Sequence, residues 1–205
     1  MLPAPHDLVH QITELQRAAV ARWHVLPPDN PHTGLLATVS QQHQYNFLLW
    51  HEEDIARSPD VTDARIAAVK RAIDQYNQQR NDAIEKIDEA FLELLSVEGI
   101  LPRVGARLNT ETPGSAIDRL SIMSLRIYHF EEQLARDDAD DRHRATVGER
   151  LARCRLQHFD LSQSLGELLD DIWAGRKLLK VYRQMKMYND PTLNPYLYRS
   201  QRLAG

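Results

Sequence analysis

Two segments of the chain share the spacing His-x-x-acid: His51 with Asp54, and His129 with Glu132. Residues three apart on a helix project to the same side, so each pair places an imidazole beside a carboxylate. Both groups bind divalent metal ions, and these four residues are therefore candidate metal ligands. Their order reverses the Glu-x-x-His motif of di-metal helical bundles, which occurs nowhere in the chain. A hydrogen bond within each pair is the alternative interpretation.

A further set of charged residues lies on a segment, beginning near Ser115, that is apolar nearly all round. We expect such a helix at the centre of a bundle, where a charged side chain is found only when it has an ion-pair partner or a functional role. We expect Asp118 to be buried and paired with Arg126 or with a partner on another helix. The candidate catalytic residues are Glu53, Asp118 and His129, and a structural ion-pair network is the alternative.

Polar residues at spacings of three and four also line one side of two earlier segments. One set comprises His43, Asn46, Trp50, Glu53 and Arg57, and the other comprises Asp74, Asn77, Asn81, Glu85 and Asp88. Either three helices send polar side chains toward a shared interior, or these stripes are solvated faces.

The C-terminal end is basic: residues 176–205 carry a net charge of +6, and residues 1–175 carry −10. We expect the last helix to continue toward Tyr188, which places Arg176, Lys180 and Arg183 on one stripe. Arginine donates paired hydrogen bonds to phosphate oxygens, so the stripe favours a phosphate-bearing ligand. The candidate ligand-binding residues are Arg176, Lys180, Arg183, Lys186, Asn189 and Asp190. Cations that complement a helix dipole are the alternative, and the acidic remainder argues against nucleic acid.

Hydrophobic periodicity predicts an all-α protein, an elongated bundle of about five helices. Prolines and glycines separate the segments at residues 27–34, 58–59 and 99–115. The clearest seam runs from Ile66 to Leu94 on the third helix, which should span about 50 Å. The fifth helix repeats this pattern from Val147 to Leu179.

We expect a single domain over residues 1–205, with the loop 99–115 as its only hinge and residues 189–205 as an extended tail. The single cysteine, Cys154, excludes an internal disulfide and a thiolate cluster, which fits a reducing compartment. Neither a signal-peptide pattern nor an apolar stretch of membrane-spanning length is present, so we expect a cytoplasmic protein.

Three stretches together resemble a bacterial family, the domain of unknown function 4254. They are NFLLWHEEDIAR at 46–57, PGSAIDRLSIMSLRIYHFEEQ at 113–133 and RQMKMYNDPTLNPYLY at 183–198. The resemblance implies a bacterial helical protein without an assigned activity. It also implies that the gene accompanies sugar transferases of envelope polysaccharide synthesis. It supplies no catalytic residues.

These observations leave three hypotheses for function. The leading one is a ligand-binding or accessory protein of envelope polysaccharide assembly, whose basic end holds a phosphorylated sugar or nucleotide sugar. The second is a metal-dependent enzyme that uses His51, Asp54, His129 and Glu132. The third is a structural partner of a glycosyltransferase. No cofactor other than a divalent metal is expected, and a homo-oligomer stays an open alternative.

Overall fold

The computed structural model describes residues 2–185, 187 and 190–198. Within them the chain forms five long helices: α1 (Pro5–Trp23), α2 (Gly34–Arg57), α3 (Asp63–Val97), α4 (Pro113–Ala135) and α5 (Asp141–Trp173). Two short strands, β1 (Arg107–Leu108) and β2 (Lys177–Leu178), pair in parallel. The prediction of an all-α bundle is confirmed, and the described part of its C-terminal tail includes one helical turn at residues 195–198.

Side-chain caps begin three of the helices where the sequence changes its period. The caps are Thr62, Thr112 and Asp140, whose oxygens accept hydrogen bonds from backbone amides three residues further on. Each bond satisfies one amide that the first turn of a helix leaves without a partner. These local signals explain why α3, α4 and α5 begin where they do.

Helix α4 packs against all four other helices, so the prediction that it lies at the centre of the bundle is confirmed. Its fully buried residues Ile117 and Leu120 belong to a core to which every helix contributes. Burial of one such side chain stabilises the fold by about 1.5–3 kcal/mol. Among the described residues, no helix combines the length and the apolar character needed to cross a membrane.

Helix α5 ends at Trp173, and the predicted continuation toward Tyr188 is therefore wrong. Gly175 has a φ of +69°, in the left-handed region that favours glycine. Its backbone amide donates to the carbonyl of Ile172, and the Arg176 amide donates to that of Asp171 at 2.7 Å. The Gly175 carbonyl then accepts a 2.9 Å hydrogen bond from the Arg103 amide. This glycine-terminated end ties the loop before α4 to the chain after α5.

Candidate functional site

Three histidines from three helices meet near the C-terminal ends of those helices. His24 directly follows α1, while His51 lies on α2 and His129 on α4. All three are partly buried, and their candidate ligand nitrogens lie within 4.8 Å of one another. Three nitrogens bound to one tetrahedral ion at 2.0–2.1 Å are about 3.4 Å apart. Small rotations of the three side chains therefore suffice to bring them onto one metal ion.

Hydrogen bonds at Nδ1 orient two of these rings. His24 Nδ1 lies 2.7 Å from the carbonyl oxygen of Val20, and His129 Nδ1 lies 2.6 Å from Oε2 of Glu132. A carbonyl and a carboxylate only accept, so each Nδ1 carries the donated proton. In the neutral rings Nε2 then holds a free lone pair, and both Nε2 atoms are buried without a hydrogen-bond partner among the residues that the structure describes.

Aromatic rings enclose the histidine cluster. Trp50 stacks on His129 with centroids 4.7 Å apart, and Tyr128 stacks on His24 at 4.2 Å. Phe47 contacts His51 edge to face at 4.4 Å. These rings restrict the orientation of the imidazoles and replace water around them with apolar surface, as in the hydrophobic shell of a metal site.

The environment of His51 favours its neutral form. Burial lowers the pKa of His51, and the neighbouring His24 and His129 lower it further by like-charge repulsion. Asp54 and Glu132 act in the opposite direction. Because a metal ion binds the neutral imidazole, burial and the two neighbouring rings favour the form of His51 that binds a metal.

A cavity of about 370 Å³ lies between α2, α3 and α4. Trp50 and Asp54 connect it to the histidine cluster, since Trp50 stacks on His129 and Asp54 acts on the charge of His51. Its size is in the range of small-ligand pockets. Its polar lining consists of Asn46, Glu53, Asp54, Arg57, Asn77 and Arg80. Polar stripes of α2 and α3 thus meet at this cavity.

Asp118 lies next to the cavity, and its side chain is only 13% exposed. Its Oδ1 accepts hydrogen bonds from Gln42 Nε2 at 2.6 Å and Asn46 Nδ2 at 2.9 Å. Arg80 on α3 is its ion-pair partner, with 3.9 Å between Nη1 and Oδ2. The expected partner on another helix is therefore Arg80, whereas Arg126 is exposed. Burial raises the pKa of Asp118, and Arg80 offsets part of that effect.

His43 and Ser121 form a second buried polar pair, with His43 Nδ1 2.7 Å from Ser121 Oγ. His43 Nε2 donates to the carbonyl of Gln16 at 3.0 Å, so Nδ1 accepts from the serine hydroxyl. Burial lowers the pKa of His43 to about 3. Both residues are completely buried, so this pair joins helices and has no access to a substrate.

The three candidate catalytic residues do not converge on one point. Asp118 and His129 are eleven residues apart on α4, which separates them by about 16 Å along the helix. Glu53 lies at the cavity and pairs with Arg57 at 2.6 Å. Of the four candidate metal ligands, His51 and His129 belong to the cluster, whereas the carboxylates of Asp54 and Glu132 do not. Catalytic roles for Glu53, Asp118 and His129 stay predictions.

The basic residues near the C-terminus do not share a helical stripe, because α5 ends before them. Arg176 pairs with Asp171 at 2.6 Å. Arg183 pairs with Glu85 at 3.1 Å and also with Glu89, both on α3. The acids that balance these cations therefore come partly from another helix, and the charge no longer requires an external phosphate.

The remaining candidate ligand-binding residues are placed as follows. Lys180 is exposed beside β2. Asp190 accepts hydrogen bonds from the amide and the hydroxyl of Thr192, at 2.7 and 2.6 Å, which is a turn-forming role. Lys186 and Asn189 lie outside the described residues. A ligand at these positions stays a prediction.

His24 is the site residue that the sequence patterns do not indicate. It lies at the end of α1, just before a proline-rich loop, and has no acidic residue three positions away. The only local signal is its spacing of four from Val20, whose carbonyl accepts its Nδ1 hydrogen. Its meeting with His51 and His129 depends on how α1 packs against α2 and α4.

Comparison with known proteins gives one match. A family model described as "Protein of unknown function (DUF4254)" matches residues 36–181, which include most of α2, all of α3 to α5 and two of the three clustered histidines. No curated protein and no solved structure matches the chain.

Proposed function

The chain belongs to this family, DUF4254, whose description names no chemistry, and we propose from the geometry that it is a metal-dependent enzyme. The metal ion is zinc or a similar divalent transition metal. Its ligands are His24, His51 and His129, and Glu132 orients His129 by accepting the hydrogen bond from its Nδ1.

The observation that carries this proposal is the pair of unpartnered Nε2 atoms. Within the described part of the chain, His24 and His129 each present a buried Nε2 without a hydrogen-bond donor, beside His51. Burying a polar atom without a partner costs about 1–3 kcal/mol. A metal ion accepts the lone pairs of these atoms and removes that cost. The Nδ1 hydrogen bonds to a carbonyl and a carboxylate are those that metal-binding histidines usually make.

The ligand set supports a catalytic ion rather than a structural one. Imidazole suits zinc, copper, iron and nickel, and structural zinc sites normally have four protein ligands. Among the described residues the cluster has three candidate ligands, which leaves one coordination position for water or substrate. Trp50, which stacks on His129, also lines the 370 Å³ cavity between α2, α3 and α4.

A zinc ion held by His24, His51 and His129 would lower the pKa of a bound water molecule to about 7 and would supply a hydroxide nucleophile at neutral pH. The reaction that we propose for such a site is hydrolysis of a carbonyl or phosphoryl compound.

Titration of the metal-free protein with Co²⁺ tests the site, because cobalt absorbs visible light according to its coordination. We expect one equivalent to bind, with the intense bands of a four-coordinate ion, and Zn²⁺ to displace it. Alanine at His24, His51 or His129 should weaken binding by more than the 10- to 100-fold that is typical when a residue that orients a ligand is lost.

His158→Ala is the matched control, since His158 is partly buried on α5 and lies outside the cluster. It should bind Co²⁺ like the wild type. Far-ultraviolet circular dichroism of each variant separates loss of a ligand from loss of the fold. Absence of stoichiometric Co²⁺ binding to the folded wild type would refute the metal site.

The observations favour this function over a sugar phosphate held by the basic C-terminal residues. That hypothesis depended on a continuous helix through Arg183, and α5 ends at Trp173. A role beside a glycosyltransferase stays a prediction.

A further inference from the structure

Arg80 has unused hydrogen-bonding capacity at the cavity between α2, α3 and α4. Its side chain is only 24% exposed, and its Nε donates to Oδ1 of Asn81 at 3.2 Å. The nearest carboxylate oxygen, on Asp118, is 3.9 Å from Nη1, which is too long for a hydrogen bond. Within the described part of the chain, the two terminal nitrogens of Arg80 make no hydrogen bond to protein.

The neighbouring carboxylates compensate this charge incompletely. Asp118 directs Oδ1 to Gln42 and Asn46, and only Oδ2 faces Arg80. The carboxylate of Glu53 forms an ion pair with Arg57. An arginine side chain that is three-quarters buried, and whose ion-pair partner is too distant for a hydrogen bond, is a binding group for a planar or tetrahedral oxyanion, which it contacts with two parallel hydrogen bonds.

We propose that this cavity is a binding pocket for a small organic anion and that Arg80 binds the carboxylate or phosphate group of that ligand. The proposal is independent of the metal site, because none of the three clustered histidines lines the cavity. Asn77, which also lines the cavity, supplies an amide donor to the same group.

The residues on the other side of the cavity restrict the chemical groups that the rest of the ligand can carry. Glu53 and Asp54 place carboxylates there, and these repel a second anionic group but accept hydrogen bonds from hydroxyls or amines. Trp50 adds an aromatic surface next to His129. The ligand class is therefore a small organic molecule with one oxyanion end and a hydroxyl- or amine-bearing end.

Three probes distinguish the groups of this ligand. Glycerol 3-phosphate, glycerate and glycerol all carry hydroxyl groups, but the first has a phosphate, the second a carboxylate and the third no anionic group. Isothermal titration calorimetry of the metal-free protein should show binding of glycerol 3-phosphate or glycerate and none of glycerol. The stronger of the two anions identifies phosphate or carboxylate as the group that the pocket prefers.

Arg80→Gln should weaken binding of that anion at least tenfold, and Arg80→Lys should retain part of the affinity because the charge remains without the paired geometry. Arg126→Gln removes an exposed arginine outside this cavity and should bind like the wild type. Circular dichroism confirms that each variant is folded.

The proposal is overturned if neither anion binds, if glycerol binds equally well, or if folded Arg80→Gln and Arg80→Lys both keep the wild-type affinity. Because the probes are titrated without metal, these results are independent of the Co²⁺ titration. A protein that binds Co²⁺ but no anion retains the metal site and loses the pocket assignment.

Discussion

Nδ1 of His129 donates a 2.6 Å hydrogen bond to Oε2 of Glu132, one turn further along α4. The bond and the stacking of Trp50 on the ring fix the orientation of His129 beside His24 and His51. The spacing His-x-x-acid thus yields a direct contact between the two side chains. In the proposed site it provides one metal ligand and the carboxylate that orients it, rather than two ligands on one ion.

Glu132 tests this arrangement without removing a ligand. Glu132→Ala should weaken Zn²⁺ binding by about 10- to 100-fold, because His129 loses the acceptor that orients it and increases its basicity. Glu132→Gln keeps an acceptor oxygen and should weaken binding less. Competition with a chromophoric chelator at constant pH measures both affinities.

Glu131→Gln is the control for this experiment. Glu131 precedes Glu132 on α4 and pairs with Arg155 on α5 at 2.8 Å, away from the histidines. Its replacement should leave Zn²⁺ affinity unchanged. Wild-type affinity in Glu132→Ala would show that the carboxylate has no influence on the metal site.

Asp118 should contribute strongly to stability. Asp118→Ala removes the acceptor of Gln42 and Asn46 and leaves Arg80 without its ion-pair partner. We expect the free energy of unfolding to fall by about 3 kcal/mol. Asp118→Asn keeps an acceptor oxygen for both amides and should cost about 1 kcal/mol. Urea unfolding measures both values, and an unchanged midpoint in Asp118→Ala contradicts the prediction.

Asp88 should make stability depend on pH. It is 3% exposed, its Oδ1 accepts a 2.7 Å hydrogen bond from the Gly114 amide, and burial raises its pKa from 3.8 to about 6. The Thr112 hydroxyl and the Gly114 amide oppose this shift, and Glu85 adds to it. Between about pH 4 and pH 6 the folded state therefore binds more protons than the unfolded state, and the contribution of Asp88 to stability falls as pH rises.

Asp88→Asn should remove this pH dependence while keeping an acceptor for Gly114. The free energy of unfolding of the variant minus that of the wild type should increase by up to about 3 kcal/mol from pH 4 to pH 7. Urea unfolding of both proteins at the two pH values measures the difference. A difference that stays constant with pH would mean that Asp88 is not perturbed by burial.

Gly175 should be difficult to replace. A Cβ at this position would lie 2.7 Å from the carbonyl oxygen of Leu101, and its φ of +69° disfavours other residues. Gly175→Ala should therefore lower the free energy of unfolding by about 1–3 kcal/mol. Thermal unfolding provides the measurement.

Gly148→Ala, within α5, is the matched control, because nothing lies within 4 Å of the added methyl group. Alanine has the higher helix propensity, so this change should raise stability by about 0.5–1 kcal/mol. Equal effects of the two substitutions would contradict the role of Gly175 as the end of α5.

The sequence by itself determined the helices and the central position of α4. Apolar residues at spacings of three and four define the buried faces, and caps such as Thr62 and Asp140 act within one turn of chain. The burial of Asp118 was predictable for the same reason, since a helix that is apolar nearly all round has no solvated face.

Only the tertiary structure decided which side chains meet. The contact of His24 with His51 and His129 depends on the relative rotation and axial position of three helices, which their packing sets and no local spacing records. The same holds for Arg183, whose partners Glu85 and Glu89 lie far away in sequence on α3. The end of α5 also depended on a distant contact, because the Gly175 carbonyl binds Arg103 and the following chain pairs with β1. Local periodicity sets the elements, whereas sites form from contacts between elements that are separated along the chain.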